Sequence, residues 1–237
     1  MNELIFDIET VGEDYDAIDK TTQKGLSRWI EREAKNRGEH KKMLANLKKG
    51  LSFSPLTGKI VAIGVLDVRQ DKGVVYFQAP GAKISEFKKG GFKFKPQSEK
   101  EMLVNFWSGA NRYQKFITFN GRSFDVPFII ARSAVNKVKI TKDLMSNRYP
   151  SSQRPDAWHI DLLDQLTYYG ATARGSLHLW CRALGIKSPK ENGLDGENVT
   201  RYFNEGRYKD IARYNANDLV ATKKLYEIWK EYMRPQS

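Results

Sequence analysis

The sequence predicts an α/β fold with a mixed β-sheet flanked by helices. Apolar runs of strand length alternate with amphipathic segments of helical spacing along most of the chain. Two of the apolar runs, 58–68 and 74–78, are separated by the turn Asp71-Lys72-Gly73 and predict a hairpin. Because this antiparallel hairpin accompanies strands that helices connect, the sheet is expected to be mixed and not purely parallel.

The chain begins with a predicted short strand, 4–9, followed by an acidic, turn-rich stretch. Residues 21–49 are expected to be helical, with a break at Gly38 and one apolar face packed on the body of the protein. Between residues 24 and 49 there are nine Lys or Arg against three Glu. This basic surface could line an anionic strand or only keep the helix in solution.

The middle of the chain continues the alternation of strands and helices. Residues 90–94 predict a basic loop or sheet edge. Ser98 with Glu101 forms a capping box that predicts the start of a helix ending near Asn111. Further elements are predicted as a strand over 116–119, a helix over 124–135, a strand over 158–161 and a mostly helical last third.

Length and composition indicate one protein domain, 1–237, in which 12–50 is a helical insertion. The chain is 40% hydrophobic and can bury a full core. The single cysteine, Cys181, excludes an internal disulfide framework and fits a reducing cytoplasm. We expect a cytoplasmic protein, because there is no signal peptide and no apolar run of about 20 residues that could span a bilayer.

The charge balance points to a polyanionic partner. Forty Lys and Arg stand against 28 Asp and Glu, which leaves a net charge of +12. Such an excess is typical of nucleic-acid-binding proteins, although ribosome-associated or merely well-solvated basic proteins share it.

Asp7 and Glu9 form the first pattern with chemical meaning. Side chains alternate along a strand, so these two acids point to the same face, with α-carbons about 7 Å apart. Both carboxylates can therefore reach one divalent cation or a pair of cations. The alternative interpretation is a strand end that runs into solvent.

The second pattern is the segment 120–125, directly after the predicted strand 116–119. Gly121 permits a tight turn, and Ser123 is a candidate helix cap. Asp125 then falls in the first helical turn, where free amides and the helix dipole are expected to favour its ionised form. A carboxylate at this place suits metal binding, since ligand sites of α/β sheets lie beyond strand ends. The alternative interpretation is an acid that only caps and stabilises its helix.

The third pattern lies on the long final helix, predicted over 208–232. Tyr214 and Asp218 are four residues apart and share one face. Asp218 falls in the middle of an apolar seam, where an unpaired charge would cost several kcal/mol. It therefore needs a cation, a salt bridge to a Lys or Arg, or a strong set of hydrogen bonds.

Together the three patterns resemble the motifs of the DEDD 3′ to 5′ exonuclease superfamily, whose members have a ribonuclease H-like fold. The tyrosine type is indicated, because the histidine type carries a His where this chain has Arg213. More narrowly, the chain looks like the stand-alone exonucleases related to the proofreading domain of family-B DNA polymerases. The residues that carry this resemblance are 53–60, 118–125, 159–162, 184–186 and Tyr214. It covers nearly all of the chain and is weakest over the helical insertion.

The resemblance implies hydrolysis of the terminal phosphodiester with two divalent ions. Oxygen ligands and the lack of a His or Cys cluster point to Mg²⁺ or Mn²⁺. Asp7, Glu9 and Asp218 would hold the ion on the nucleophile side, with Asp7 bridging to a second ion near Asp125. Tyr214 would orient the attacking water, since a phenol with its ordinary pKa near 10 is a poor base.

The resemblance also implies a substrate. Asn120 and Phe124 would position the terminal nucleotides, and Thr10 and Arg122 are further candidate substrate contacts. The expected substrate is the 3′ end of single-stranded DNA, or a frayed 3′ end, and the product a nucleoside 5′-monophosphate. RNA and a non-catalytic nucleic-acid-binding module are the alternatives. Proofreading, repair and degradation would all use this activity, with or without a polymerase or clamp partner, and we expect a monomer.

Four other titratable residues are interpreted as structural. Asp161 and Asp164 stand where a strand ends and a helix starts, which is typical of capping acids. His159 and His178 have no second ligand at metal-binding spacing. None of the four is therefore assigned to the metal site.

Overall fold

The computed structural model describes residues 1–188 and 196–234. Its described strands form one seven-stranded sheet in the order β4-β5-β3-β2-β1-β6-β7. These strands are β1 (Glu3–Gly12), β2 (Gly58–Asp67), β3 (Lys72–Phe77), β4 (Phe87–Lys89), β5 (Phe92–Pro96), β6 (Lys115–Thr118) and β7 (Trp158–Asp161).

The sheet is mixed, as predicted. β1 runs antiparallel to β2 on one side and parallel to β6 on the other. β2 and β3 form the predicted hairpin, and β4 and β5 form a second antiparallel pair at the sheet edge. β1 is therefore an interior strand, held by backbone hydrogen bonds on both sides.

Eight α-helices in the described residues surround this sheet. In the described residues, no helix combines the length and apolar character that crossing a lipid bilayer requires. The helices are α1 (Lys20–Glu33), α2 (Arg37–Gly50), α3 (Glu99–Ala110), α4 (Asp125–Val135), α5 (Leu162–Leu166), α6 (Leu177–Ala183), α7 (Val199–Asn204) and α8 (Tyr208–Ile228).

Strand alternation in β1 separates two hydrophobic cores. Leu4, Phe6 and Ile8 pack with the apolar side chains of α3 and α4. Ile5 packs on the opposite face, with the apolar side chains of α8. Because Asp7 shares the face of Ile5, it is directed toward α8.

The helical insertion contains α1 and α2, but the predicted break at Gly38 is wrong. The first helix ends at Glu33, and Asn36 caps the second by accepting a hydrogen bond from the Glu39 amide at 2.9 Å. Gly38 lies inside the first turn of α2, where backbone amides lack helical partners in any case. The predicted apolar face is buried at Ile30 in α1, whereas no residue of α2 is fully buried.

The capping predictions concern the starts of α3 and α4. The capping box of Ser98 and Glu101 is present at the start of α3, as predicted. The predicted cap at Ser123 is wrong, because Phe124 occupies the N-cap position of α4 and makes no side-chain capping bond. Asp125 does lie in the first turn of α4.

The last helix is close to the predicted one except at its end. Helix α8 begins at Tyr208, and a π-helical turn, Trp229–Met233, follows it. Tyr232, the last residue of the predicted apolar seam, is 74% exposed. The wider π-turn changes which residues face the core, so the 3.6-residue spacing no longer applies there.

Gly64 allows α8 to approach β2 closely. It pairs with Asp7 across the β1–β2 ladder, and a Cβ atom at this position would collide with Asn215 and lie 2.7 Å from Leu219 Cδ1. The absence of a side chain at Gly64 thus determines how closely α8 packs over β1.

We expect Gly64→Ala to destabilise the protein by about 1–3 kcal/mol, because the added methyl group overpacks the α8–β2 contact. Gly25→Ala is the matched control, since nothing lies within 4 Å of a Cβ on this exposed helical residue. The control should be neutral or stabilise by up to about 1 kcal/mol. Denaturant unfolding measures both, and equal stabilities would contradict this account of the packing.

Candidate active site

Three carboxylates from distant parts of the chain meet above the sheet. Asp7 and Glu9 extend from β1, and Asp218 extends from α8. One oxygen of each lies within 4.8 Å of an oxygen of the others. We call these three residues the acidic cluster. It joins the first and third sequence patterns, which are about 200 residues apart.

The acidic cluster is electrostatically unfavourable without a cation. Burial raises the pKa of Asp7 and of Glu9 well above the ordinary values, and the neighbouring carboxylates raise them further. Glu9 and Asp218 are only 6% and 8% exposed. A divalent cation would remove this repulsion, and carboxylate oxygens are ligands that Mg²⁺ and Mn²⁺ prefer.

Asp125 lies beside the acidic cluster, and a backbone contact holds it there. Strand β6 pairs with β1 only as far as Ile5, and beyond this point the Ile8 amide donates to Asp125 Oδ1 at 3.0 Å. Asp125 is close enough for its charge to raise the pKa of Asp7. This hydrogen bond ties the start of α4 to the strand that carries the acids.

The expectation that Asp125 is kept ionised by its helix is wrong for the cation-free protein. Burial raises its pKa to about 7, even though the hydrogen bond from Ile8 acts in the opposite direction. Desolvation of a carboxylate that is 3% exposed outweighs the free amides of the first helical turn.

Tyr214 lies one helical turn from Asp218, and its phenol donates a hydrogen bond to that carboxylate. Burial raises the pKa of Tyr214 far above its ordinary value, and the negative charges of Asp218 and Glu9 raise it further. The sequence-based expectation of an ordinary pKa is therefore wrong in magnitude. The phenol remains protonated at neutral pH and can act only as a hydrogen-bond donor or a neutral acceptor.

Asn215 contacts the acidic cluster and was not assigned from the sequence. Its side-chain amide nitrogen donates to Asp7 Oδ2 at 2.8 Å, and the residue is fully buried. Its Oδ1 accepts no hydrogen bond from the described residues. The sequence carried no signal for this contact, because it depends on the burial of Asn215 and on its distance from Asp7 in the folded chain.

Asp161 organises the turn that precedes α4. Its carboxylate accepts hydrogen bonds from the backbone amides of Asn120 at 2.8 Å, Arg122 at 2.9 Å and Leu163 at 3.0 Å. Asn120 itself has φ = 64°, in the left-handed region. The structural interpretation of Asp161 is thus confirmed, and its role is to hold the 120–124 turn at the edge of the site.

The other candidate substrate residues make contacts within the protein. Thr10 is buried, and its hydroxyl donates to the Ser52 carbonyl at 2.7 Å. The Arg122 guanidinium donates to the main-chain carbonyls of residues 144 and 145 at 3.2 and 3.4 Å. Phe124 packs edge-on against Phe53, with ring centroids 6.3 Å apart. The substrate roles of these residues remain predictions.

The remaining titratable residues have structural partners, as expected. His159 contacts Thr118 Oγ1 at 2.8 Å and the Leu144 carbonyl at 3.0 Å, and burial lowers its pKa to about 3. His178 Nδ1 lies 2.7 Å from the Ser188 hydroxyl. Asp164, in turn, accepts two hydrogen bonds from an arginine side chain, at 3.0 and 2.6 Å.

Comparison with known proteins places the chain in a family. Residues 53–235 match the family described as a predicted 3′-5′ exonuclease related to the exonuclease domain of PolB. The chain belongs to this family. The matched segment contains Asp125, Tyr214 and Asp218, whereas Asp7 and Glu9 precede it. The resemblance inferred from the sequence motifs is therefore confirmed.

Two curated relatives are similar over part of the chain. They are the DNA polymerase epsilon catalytic subunits A of Aspergillus fumigatus and Emericella nidulans, each 28% identical over 149 residues. The aligned region is 60% of this chain and 6% of each polymerase. The chain thus spans a small fraction of the length of these relatives.

A solved structure shares the fold. The family B DNA polymerase from Pyrobaculum calidifontis aligns with a TM-score of 0.58 and 16% sequence identity, over 97% of this chain and 24% of that one. The predicted α/β class, a mixed sheet flanked by helices, is confirmed. The single-domain assignment of 1–237 remains a prediction.

We expect Asp125→Asn to stabilise the metal-free protein by up to about 4 kcal/mol at about pH 8. The folded-state pKa of about 7 lies above the ordinary 3.8, so folding binds a proton between these values. The stability that depends on this proton is full below about pH 4 and is lost as the pH rises through about 7. The asparagine carries no charge, and its Oδ1 can still accept the Ile8 amide.

Chemical denaturation of both proteins in a metal chelator at about pH 4 and pH 8 measures this difference. Asp16→Asn is the control, because Asp16 is exposed and its ion pair with Lys48 lies at the surface. It should change stability by less than about 1 kcal/mol at either pH. An Asp125→Asn protein that is no more stable than wild type at the higher pH would contradict the assigned pKa.

Proposed function

We propose that the chain is a divalent-metal-dependent 3′-5′ exonuclease that acts on single-stranded DNA or frayed 3′ ends and releases nucleoside 5′-monophosphates. The observation that carries the proposal is the acidic cluster, with carboxylate oxygens from Asp7, Glu9 and Asp218 within 4.8 Å of one another. Membership of an exonuclease family supports phosphodiester hydrolysis as the reaction at this cluster.

The donor set of the acidic cluster fits Mg²⁺ or Mn²⁺. Among the described residues, its candidate ligands are all carboxylate oxygens, without a His or Cys that would favour zinc. Asp7, Glu9 and Asp218 would hold one ion, and Asp7 with Asp125 would hold a second. When bound, two such ions neutralise the scissile phosphate and lower the pKa of the attacking water.

The protein side chains position the reactants. Asn215 restrains the Asp7 carboxylate, and the Ile8 amide restrains Asp125, so two ligands are oriented before any cation binds. Tyr214 remains protonated and orients the attacking water by hydrogen bonding. It is a positioning group and not the base, because its pKa is raised far above neutral pH.

The 3′ end of the substrate would lie between the acidic cluster and the 120–124 turn. Asn120 and Phe124 would contact the last nucleotides, where the exposed ring of Phe53 adds apolar surface beside Phe124. Contacts of this kind, through phosphates and ring faces, give little sequence preference. DNA is preferred over RNA in this proposal because the curated relatives are DNA polymerase subunits.

We expect a 5′-labelled single-stranded oligodeoxynucleotide to shorten stepwise from its 3′ end in the presence of Mg²⁺ or Mn²⁺. Asp218→Asn should lower the rate at least about a thousandfold, because a ligand charge is lost at the site where the transition state must be neutralised. Glu227→Gln on the same helix is the control, since this glutamate is 53% exposed outside the cluster. Gel electrophoresis of timed samples measures both variants.

A matched RNA strand in parallel tests the substrate class. Faster shortening of RNA would replace the proposed DNA specificity with the exoribonuclease alternative. Tight binding of either strand without metal-dependent shortening would instead support a non-catalytic binding module and contradict the proposed function.

A further inference from the structure

A large groove lies at the end of the sheet away from the acidic cluster. It has a volume of about 1200 Å³ and is bordered by the β2–β3 turn, the β4–β5 turn, the loop after α3 and the start of β1. We call it the basic groove. Six cationic side chains line it: Arg69, Lys72, Lys88, Lys89, Lys93 and Arg112.

The positive charge of the basic groove is not neutralised by the protein. All six cationic residues are exposed, and none makes an ion pair among residues 1–188 and 196–234. Asp67 is the one acid in its lining among the residues that the structure describes. The carboxylate oxygens of Asp67 accept hydrogen bonds from the Tyr113 hydroxyl at 2.9 Å and from the backbone amide of Gln70 at 2.8 Å. Six cations against one occupied acid form a strong site for an anion.

Along β1 the basic groove lies apart from the acidic cluster, whereas Lys89 and Gly90 on its other side also border a second pocket that Tyr214 lines. Asn2 borders the groove and Asp7 belongs to the cluster, and β1 connects them. Five residues of extended strand span about 17 Å. A polymer with many phosphates can occupy both places at once, whereas a single nucleotide cannot.

The chemistry of the lining favours a nucleic-acid backbone over an acidic protein. The centres of protein interfaces are rich in aromatic and apolar anchors and poor in lysine. Four of the six cations here are lysines, and no large exposed hydrophobic residue lines the groove. Gly90 and Gly91, both with positive φ, form the β4–β5 turn and leave it without bulky side chains.

We propose that the basic groove binds the sugar-phosphate backbone of the substrate strand upstream of the 3′ end held at the acidic cluster. This inference rests on the proposed function, because it assigns the remainder of the same substrate to a second site. The groove adds affinity without sequence preference, since it presents point charges and no base-reading geometry.

Strand length should therefore determine affinity. A single strand that stays stacked as in a duplex has a phosphate about every 3.4 Å, so about five phosphates cover a separation of about 17 Å. Strands of about three nucleotides engage only the acidic cluster, and strands of about 30 nucleotides engage both places. For the wild-type protein, KM should fall as the length passes this threshold.

The test compares a groove variant with a surface control of equal charge change. The groove variant combines Lys88→Glu, Lys89→Glu and Lys93→Glu. Lys88 and Lys93 are paired residues in the β4–β5 hairpin. When both become glutamate, the pair still carries two charges of the same sign. The control combines Lys100→Glu, Lys139→Glu and Lys224→Glu, which are exposed and lie outside the groove.

For each protein we compare the KM for the long strand with the KM for the short strand. The ratio of long to short should rise at least about tenfold in the groove variant. In the control it should remain at the wild-type value. In the groove variant, the slope of log affinity against log salt concentration should also become less steep by about 2. Each phosphate contact contributes about 0.7 to this slope, and the variant loses three lysines. Unchanged ratio and slope in a folded groove variant would overturn the proposal. If that variant does not fold, the triple Lys→Gln variant replaces it.

A binding measurement without catalysis tests the basic groove independently of the exonuclease activity. Fluorescence anisotropy in a metal chelator, with a labelled strand of about 30 nucleotides and a polyglutamate peptide as probes, needs no turnover. Loss of strand binding in the groove variant supports the proposal even if no strand is ever shortened. A groove variant that loses only peptide binding would show an acidic protein partner and overturn it. Failure of the wild type to shorten even the short strand would contradict the proposed function alone.

Discussion

The repulsion between buried carboxylates is the constraint on which the rest of this structure depends. Asp7, Glu9 and Asp218 bring three carboxyl groups within 4.8 Å of one another, and burial raises the pKa of Asp7 and of Glu9 because it makes their ionised forms more costly. A chain free to relax would separate them. The protein prevents this because two of the acids belong to an interior strand, and the third lies on a helix that packs across the same strand.

The contacts that maintain this arrangement come from uncharged groups. Asn215 donates to Asp7 from α8, and the Ile8 amide donates to Asp125 from β1. Gly64 allows α8 to lie close to the sheet at the residue paired with Asp7. Each contact orients a carboxylate without neutralising it, so the negative charge remains available to a cation. This preorganisation of the carboxylates lowers the stability of the cation-free protein.

The sequence predicts which of these side chains share a face because alternation and helical spacing are local rules. Asp7 and Glu9 share a face of one strand, and Tyr214 and Asp218 share a face of one helix, whatever else the chain does. The cap at Ser123 and the break at Gly38 failed because several residues could serve there and the tertiary context selected Phe124 and Asn36.

Other features could not be predicted because they depend on contacts between distant residues. The raised pKa of Asp125 results from burial beneath packed elements, and the role of Asn215 from its distance to Asp7. The basic groove brings together cations that are spread over residues 69–112. They surround one space because β4, β5, β3 and β2 are neighbours in the folded sheet, in that order.

Anomalous diffraction from a crystal soaked in Mn²⁺ would show whether the carboxylates hold cations. We expect anomalous peaks between the carboxylates of Asp7, Glu9 and Asp218, with a second peak near Asp125. A crystal in which these acids keep their positions and no anomalous peak lies among them would contradict this expectation.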